Sequence, residues 1–94
     1  MSTPVSLQER VEDYLAERRR LGYHLRSTAL ALRSFARYVD GLDLSTPLKV
    51  EVMAAWARCA KTNSDNPTTW ARRLKRLRPF TRWLQQFEPD TEVP

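Results

Sequence analysis

The side chains that could carry nucleophilic or proton-transfer chemistry are few and scattered. His24 is the only histidine and Cys59 the only cysteine, so the sequence predicts no histidine-containing metal cluster, no proton relay and no internal disulfide. It also contains no glycine-rich phosphate loop, nucleophile elbow or metal-ligand spacing. We therefore predict no metal, no cofactor and no complete enzyme active site in this chain.

The feature of this sequence that could bind a ligand is its positive charge. The chain has 16 Lys and Arg residues, 11 Asp and Glu residues and a net charge of +5. Residues 26–39 and 67–87 contain arginine and lysine but no acid. Their like-charged i,i+4 pairs repel in water and become favourable beside phosphates. The pattern favours a nucleic-acid surface, with a solvated or protein-facing surface as the alternative.

Angular position selects the candidate residues. At about 100° per residue, the cations of 26–39 lie almost opposite an apolar stripe, and so do those of 67–87. Most should bind phosphates, and one or two arginines should reach guanine edges. The candidate DNA-binding residues are Arg26, Ser27, Arg33, Arg37, Arg72, Lys75, Arg76, Arg78 and Arg82.

These residues lie on predicted helices, because apolar residues recur at helical spacing and no strand-like alternation is sustained. Helix 1 is predicted at about residues 7–21, with Ser6 as N-cap, Glu9 completing a capping box and Gly22 as the left-handed stop. Helix 2 is predicted at about residues 28–40, with Ser27 as N-cap and Gly41 as its stop.

The second half of the chain predicts two more helices. Helix 3 should run from near Pro47 to about residue 60, with Thr46 as N-cap. Residues 61–66 read as a polar loop. Helix 4 should run from residue 67 to about residue 87 and be kinked or broken near Pro79, because proline removes a backbone hydrogen bond and clashes with the preceding turn.

The same periodicity predicts the buried side chains. Trp83 and Leu30 are expected towards the basic faces, where they could pack on a neighbouring domain. Arg18 is expected to extend to solvent or to pair with an acid. The residues predicted to face inward are Leu7, Val11, Tyr14, Leu15, Leu21, Leu32, Phe35, Ala36, Val39, Val52, Met53, Trp56, Cys59, Trp70, Leu74, Leu77, Leu84 and Phe87.

Length and composition predict one domain in a reducing cytoplasm. The chain has 94 residues, no apolar run near the roughly 20 residues that span a bilayer, and no secretion signal. We assign residues 1–87 to the domain. Residues 88–94 are acidic and proline-bearing, which is typical of the start of a linker to a further domain.

Several short segments together resemble the N-terminal core-binding domain of tyrosine recombinases, the phage-integrase family. The resemblance covers nearly the whole chain and rests on the order and spacing of its segments. They are residues 11–18 (VEDYLAER), 21–23 (LGY), Thr28, residues 32–39 (LRSFARYV), 55–57 (AWA), 73–80 (RLKRLRPF), 82–84 (RWL) and 87–94 (FEPDTEVP).

The resemblance implies an all-α, SAM-like four-helix bundle of two helical hairpins that forms half of a C-shaped clamp on a DNA recombination site. It also implies that helices 2 and 4 face the major groove. The catalytic half, with its arginine-rich site and nucleophilic tyrosine, would lie beyond Pro94. Tyr14, Tyr23 and Tyr38 therefore carry no catalytic role.

The implied partners are double-stranded DNA, the catalytic domain of the same parent protein and further recombinase protomers on the same DNA. No membrane partner is implied, and the setting would be the bacterial cytoplasm, at the nucleoid. Two other interpretations remain open at this point. One is a free-standing helical DNA-binding regulator, and the other is a basic helical module that binds an acidic protein.

Overall fold

The computed structural model describes residues 6–42, 47–59 and 67–94. These residues form four helices and no strand, which confirms the all-α prediction. The helices are α1 (Leu7–Arg20), α2 (Arg26–Gly41), α3 (Val50–Arg58) and α4 (Pro67–Leu84). The chain divides into two units, Met1–Leu44 and Ser45–Pro94, called unit 1 and unit 2 below. In unit 1 α1 packs against α2, and in unit 2 α3 packs against α4, as two helical hairpins.

The start of α1 is capped from two places. Ser6 accepts a hydrogen bond from the Glu9 amide, as predicted for the N-cap. The carboxylate of Asp40, near the end of α2, accepts hydrogen bonds from two backbone amides. The Leu7 amide donates to Oδ1 at 3.0 Å, and the Gln8 amide donates to Oδ2 at 3.1 Å. Because the first amides of a helix have no partner within the helix, Asp40 ties the end of α2 to the start of α1.

The end of α1 is a glycine cap. Gly22 has φ +90°, and the amides of Gly22 and Tyr23 donate to the carbonyls of Arg19 and Arg18 at 3.0 and 3.1 Å. These two bonds define a Schellman motif and confirm Gly22 as the left-handed stop of α1. Leu21 lies in this turn and is 64% exposed, so its predicted inward orientation is wrong.

Helix α2 starts earlier than predicted. Its N-cap is Leu25, and the Ala29 amide already donates to the Leu25 carbonyl at 2.6 Å, so Ser27 lies inside the first turn and does not cap the helix. The helix ends at Gly41 without a left-handed residue at that position. Buried side chains of unit 1 are Leu7, Val11, Tyr14, Leu15, Ala29, Leu32, Phe35 and Ala36.

Helix α3 starts later than predicted, at Val50, and the preceding Lys49 is extended. The predicted N-cap Thr46 and the predicted loop 61–66 lie outside the described residues. The carboxylate of Glu92 accepts the Val50 amide at 2.8 Å, and the Glu92 amide donates to the Leu48 carbonyl at 2.9 Å. The segment after α4 therefore packs back on the start of α3 and is not simply extended. Cys59 at the end of α3 is exposed, contrary to its predicted orientation.

Helix α4 continues through Pro79, so a break at that position does not occur. The hydroxyl of the buried Thr81 lies 3.0 Å from the carbonyls of both Leu77 and Arg78 in this turn. The helix ends at Leu84, and Phe87 follows in a turn where it is 50% exposed. Buried side chains of unit 2 include Leu48, Met53, Trp56, Ala57, Leu77, Phe80, Thr81, Trp83, Leu84 and Thr91.

The prediction that Trp83 lies towards the basic face and packs on a neighbouring domain is wrong, because Trp83 is only 8% exposed. Its ring stacks on Phe80 with centroids 6.0 Å apart and lies 5.0 Å from the ring of Phe87. The helix therefore buries a wider arc than the one that the periodicity predicted. Phe87, which follows the helix, covers part of the Trp83 ring.

Candidate nucleic-acid interface

The exposed side of α4 carries a dense group of cations, which we call the α4 basic face. Helix α4 has no acidic residue, and its buried side chains lie mainly on the opposite arc, with Trp83 buried at the border between the two. Each cation of the face is exposed, as the sequence predicted. The α4 basic face consists of Arg72, Lys75, Arg76, Arg78 and Arg82.

Most of these cations are not neutralised. Within the ranges that the structure describes, Arg72, Lys75, Arg76 and Arg82 form no ion pair. Arg78 donates its Nε–H to the main-chain oxygen of Pro94 at 3.0 Å. A run of exposed, uncompensated cations on one helix creates a positive potential that attracts a polyanion.

Arg73 lies on the same helix but has a structural role. Its guanidinium carbon is 4.0 Å from the centre of the Trp56 ring, and its Nη2 lies 3.5 Å from the Trp56 carbonyl oxygen. Burial lowers the pKa of Arg73, although a guanidinium remains charged at any physiological pH. The cation–π contact joins α4 to α3 within unit 2.

The corresponding α2 basic face consists of Arg26, Arg33 and Arg37. Arg26 and Arg37 are exposed, and so is Ser27, whose hydroxyl is not used as a helix cap. Arg33 differs, because its Nε and Nη2 donate to the two carboxylate oxygens of Glu12 on α1, both at 2.9 Å. One of the three predicted cations of α2 is therefore neutralised by the neighbouring helix.

The Glu12–Arg33 pair is electrostatically tight although it lies at the surface. The hydrogen bonds from Arg33 lower the pKa of the Glu12 carboxyl, and Glu12 in turn raises the pKa of Arg33. Because the pKa of Glu12 is lowered on folding, the pair stabilises the fold above the ordinary glutamate range and ceases to do so as the pH falls through the lowered pKa.

The two basic faces belong to different units, and each presents its cations to solvent. Sequence reasoning missed Glu12 as the partner of Arg33, since nothing in the local pattern links residues that pair across a hairpin. Arg18 also differs from its expectation, because it lies over two tyrosine rings, 5.2 Å from that of Tyr14 and 5.7 Å from that of Tyr23.

Two other kinds of feature, a metal site and a membrane-spanning helix, were looked for in the described residues. No group of three His, Cys, Asp or Glu side chains there could hold a metal ion. None of the described helices combines the length and apolar character needed to cross a bilayer. The exposed guanidinium and ammonium groups of the two basic faces are able to bind anions.

A comparison with known proteins finds one similar sequence to report. Over 90 residues, 95% of this chain, the sequence is 33% identical to a Sinorhizobium fredii protein named "Putative integrase/recombinase y4rB". The chain spans only about a quarter of that protein, 27% of its length. The similarity is therefore to one segment of that protein and not to its whole length. No family model matches the chain. No solved structure matches it.

Proposed function

We propose that this chain is the DNA-binding, N-terminal core-binding domain of a tyrosine-type site-specific recombinase. The observation that carries the proposal is the α4 basic face, five exposed cations on a helix without an acid. The similarity of the chain, along 95% of its length, to a protein named as a putative integrase/recombinase adds independent support. Duplex DNA carries one negative charge per roughly 1.7 Å of axis, which makes it the natural partner of such a face.

In this proposal, α4 lies along a DNA groove and its cations bind the flanking phosphates. Each bound phosphate releases condensed counterions, so affinity falls steeply with salt. Helix α2 contributes Arg26 and Arg37 directly and the hydroxyl of Ser27 as a short hydrogen-bonding group. Arg33 binds a phosphate fully only when that phosphate displaces Glu12 from the Arg33 guanidinium.

The remaining roles follow from the family resemblance. Residues 1–87 would form the domain that holds the recombination site as half of a clamp, and residues 88–94 would lead towards a catalytic domain of the same parent protein. That domain would break and rejoin DNA during integration and recombination, with other protomers bound to the same site. The complex would act in the bacterial cytoplasm, at the nucleoid.

Salt-dependent binding to duplex DNA tests the proposal. Fluorescence anisotropy of a labelled duplex, titrated with the chain at several salt concentrations, should give weak affinity, about 10⁻⁴–10⁻⁶ M at physiological salt. Replacing two exposed cations of α4, Arg72→Gln with Arg76→Gln, should reduce the slope of log affinity against log salt by about two.

A matched variant controls for net charge. Arg20 and Arg58 are exposed, form no ion pair within the described ranges and lie outside α2 and α4. Arg20→Gln with Arg58→Gln should leave the slope nearly unchanged. Equal losses from both double variants would mean that the attraction is diffuse and would overturn the assignment of α4 as the DNA-binding helix.

A further inference from the structure

One apolar side chain stands among the cations and hydroxyls of α2. Leu30 is 70% exposed, the largest exposed fraction among the large apolar side chains of the described residues. The buried side chains of α2 belong to the opposite arc of the helix. Leu30 therefore contributes nothing to the core of unit 1, and its apolar surface is left in water.

The neighbours of Leu30 on the helix are unusual for a surface that only needs to be solvated. Arg26, one turn before, and Arg37, two turns after, are exposed on one side of it, where Arg33, one turn after, is paired with Glu12. Ser27 and Ser34 are exposed on the other side. A solvated helix face normally mixes long acidic and basic side chains. Here two short hydroxyl side chains leave Leu30 projecting, while two arginines supply positive charge beside it.

This arrangement suits the edge of a base pair in the major groove. The C5 methyl of thymine is the apolar group that base pairs present there, whereas the other groups are hydrogen-bond donors and acceptors. A leucine cannot read donors or acceptors, but it can cover a methyl group. Flanking arginines that bind phosphates would hold the helix close enough for that contact.

We propose that Leu30 is a specificity-determining residue that reads a thymine methyl group in the major groove. The inference rests on the proposed function, since it needs α2 to enter DNA. A protein partner fits the surface less well, because a docking site needs a continuous apolar patch and Leu30 is bordered by three arginines and two serines.

The test uses a duplex library with a randomised core, from which the unaltered chain selects its preferred sequences at low salt. We expect thymine to be enriched at one or two positions. Replacing such a thymine by deoxyuridine removes only the methyl group, and should weaken binding about fourfold, the factor expected for exposing one methyl-sized group. With Leu30→Ala, thymine and deoxyuridine duplexes should bind equally well.

Leu21→Ala is the matched control, because Leu21 is 64% exposed and lies outside α2. It should keep the fourfold preference for thymine. If Leu30→Ala keeps that preference, or if the unaltered chain selects no thymine, Leu30 does not read the methyl group and the inference fails while DNA binding stands. If the unaltered chain binds no duplex at all, the proposed function fails and the inference with it. If Leu30→Ala changes self-association alone, Leu30 belongs to a protein interface and the inference is overturned.

Discussion

The Glu12–Arg33 pair shows how a single acid changes the charge of a helix face. Their side chains are 55% and 40% exposed, so the pair adds little to stability. Its main consequence is electrostatic, because it neutralises one of the three cations of the α2 basic face. Because Glu12 belongs to α1, the positive charge on the α2 basic face is smaller than the sequence of α2 alone would give.

Removing the carboxylate should therefore strengthen DNA binding. Glu12→Gln leaves Arg33 free for a phosphate and should make the slope of log affinity against log salt steeper by about one. Asp13→Asn removes the same charge from an exposed position on α1 that does not pair with Arg33. If both variants change the anisotropy titrations equally, Arg33 is not at the DNA interface.

The left-handed turn at Gly22 gives a prediction about stability. A Cβ added at Gly22 would meet no atom within 4 Å, so a substitution there is opposed only by the backbone at φ +90°. Gly22→Ala should lower the free energy of unfolding by about 1–2 kcal/mol. Urea denaturation measures the change.

Gly41→Ala is the matched control for that prediction. Gly41 also has open space around it but has no positive φ, and it lies at the end of α2. Alanine there should be neutral or slightly stabilising, since it favours the helix more than glycine does. A Gly22→Ala variant as stable as Gly41→Ala would contradict the Schellman turn.

Both hairpins use one device at the scale of the elements. A carboxylate distant in sequence accepts the first amides of a helix: Asp40 does so for α1, and Glu92 for α3. Negative charge at a helix N-terminus is also favoured by the helix dipole. Glu92 is held in place by Lys49, whose Nζ lies 3.8 Å from its carboxylate, and by its own amide bond to Leu48.

Loss of the Asp40 cap should destabilise unit 1. Asp40→Ala leaves the amides of Leu7 and Gln8 without their acceptor and should cost about 1–2 kcal/mol, measured by urea denaturation. Hydrogen exchange of these two amides should accelerate more than that of amides in the middle of α1. Asp13→Ala, on the exposed side of α1, should change neither quantity. If hydrogen exchange of the Leu7 and Gln8 amides is unaltered in Asp40→Ala, Asp40 is not the cap of α1.

The helices themselves could be predicted from the sequence, but several of their ends could not. Periodicity located all four helices, and Ser6 and Gly22 marked α1 correctly because their interactions are local. Helix α3 starts at Val50 because Glu92 caps it from the far end of the unit. Ser27 has the right residue type for an N-cap, yet the chain is already helical at Arg26.

The candidate site was predictable to the same degree. A helical wheel places the cations of α4 opposite its apolar arc, so their exposure follows from spacing alone. The pairing of Arg33 with Glu12 depends on how α1 packs against α2, which no local pattern encodes. Trp83 was misplaced for a similar reason, since Phe80 and Phe87 cover its ring.

For the molecule as a whole, the use of the acids explains where positive charge remains. Asp40 and Glu92 cap helices, and Glu12 neutralises Arg33, so these three acids are engaged within the hairpins. The α4 basic face has no such acidic partner in the described residues. Eight of the 16 lysine and arginine residues of the chain lie on the α2 and α4 basic faces.

The most direct test of DNA binding by these faces is NMR titration of the ¹⁵N-labelled chain with a short duplex at low salt. We predict that the largest shift changes fall on the exposed residues of α2 and α4, including the Nε–H signals of Arg37, Arg72 and Arg76. Signals of α1 and α3 should change less. Largest changes on α1 and α3, or no saturable change at all, would contradict the account.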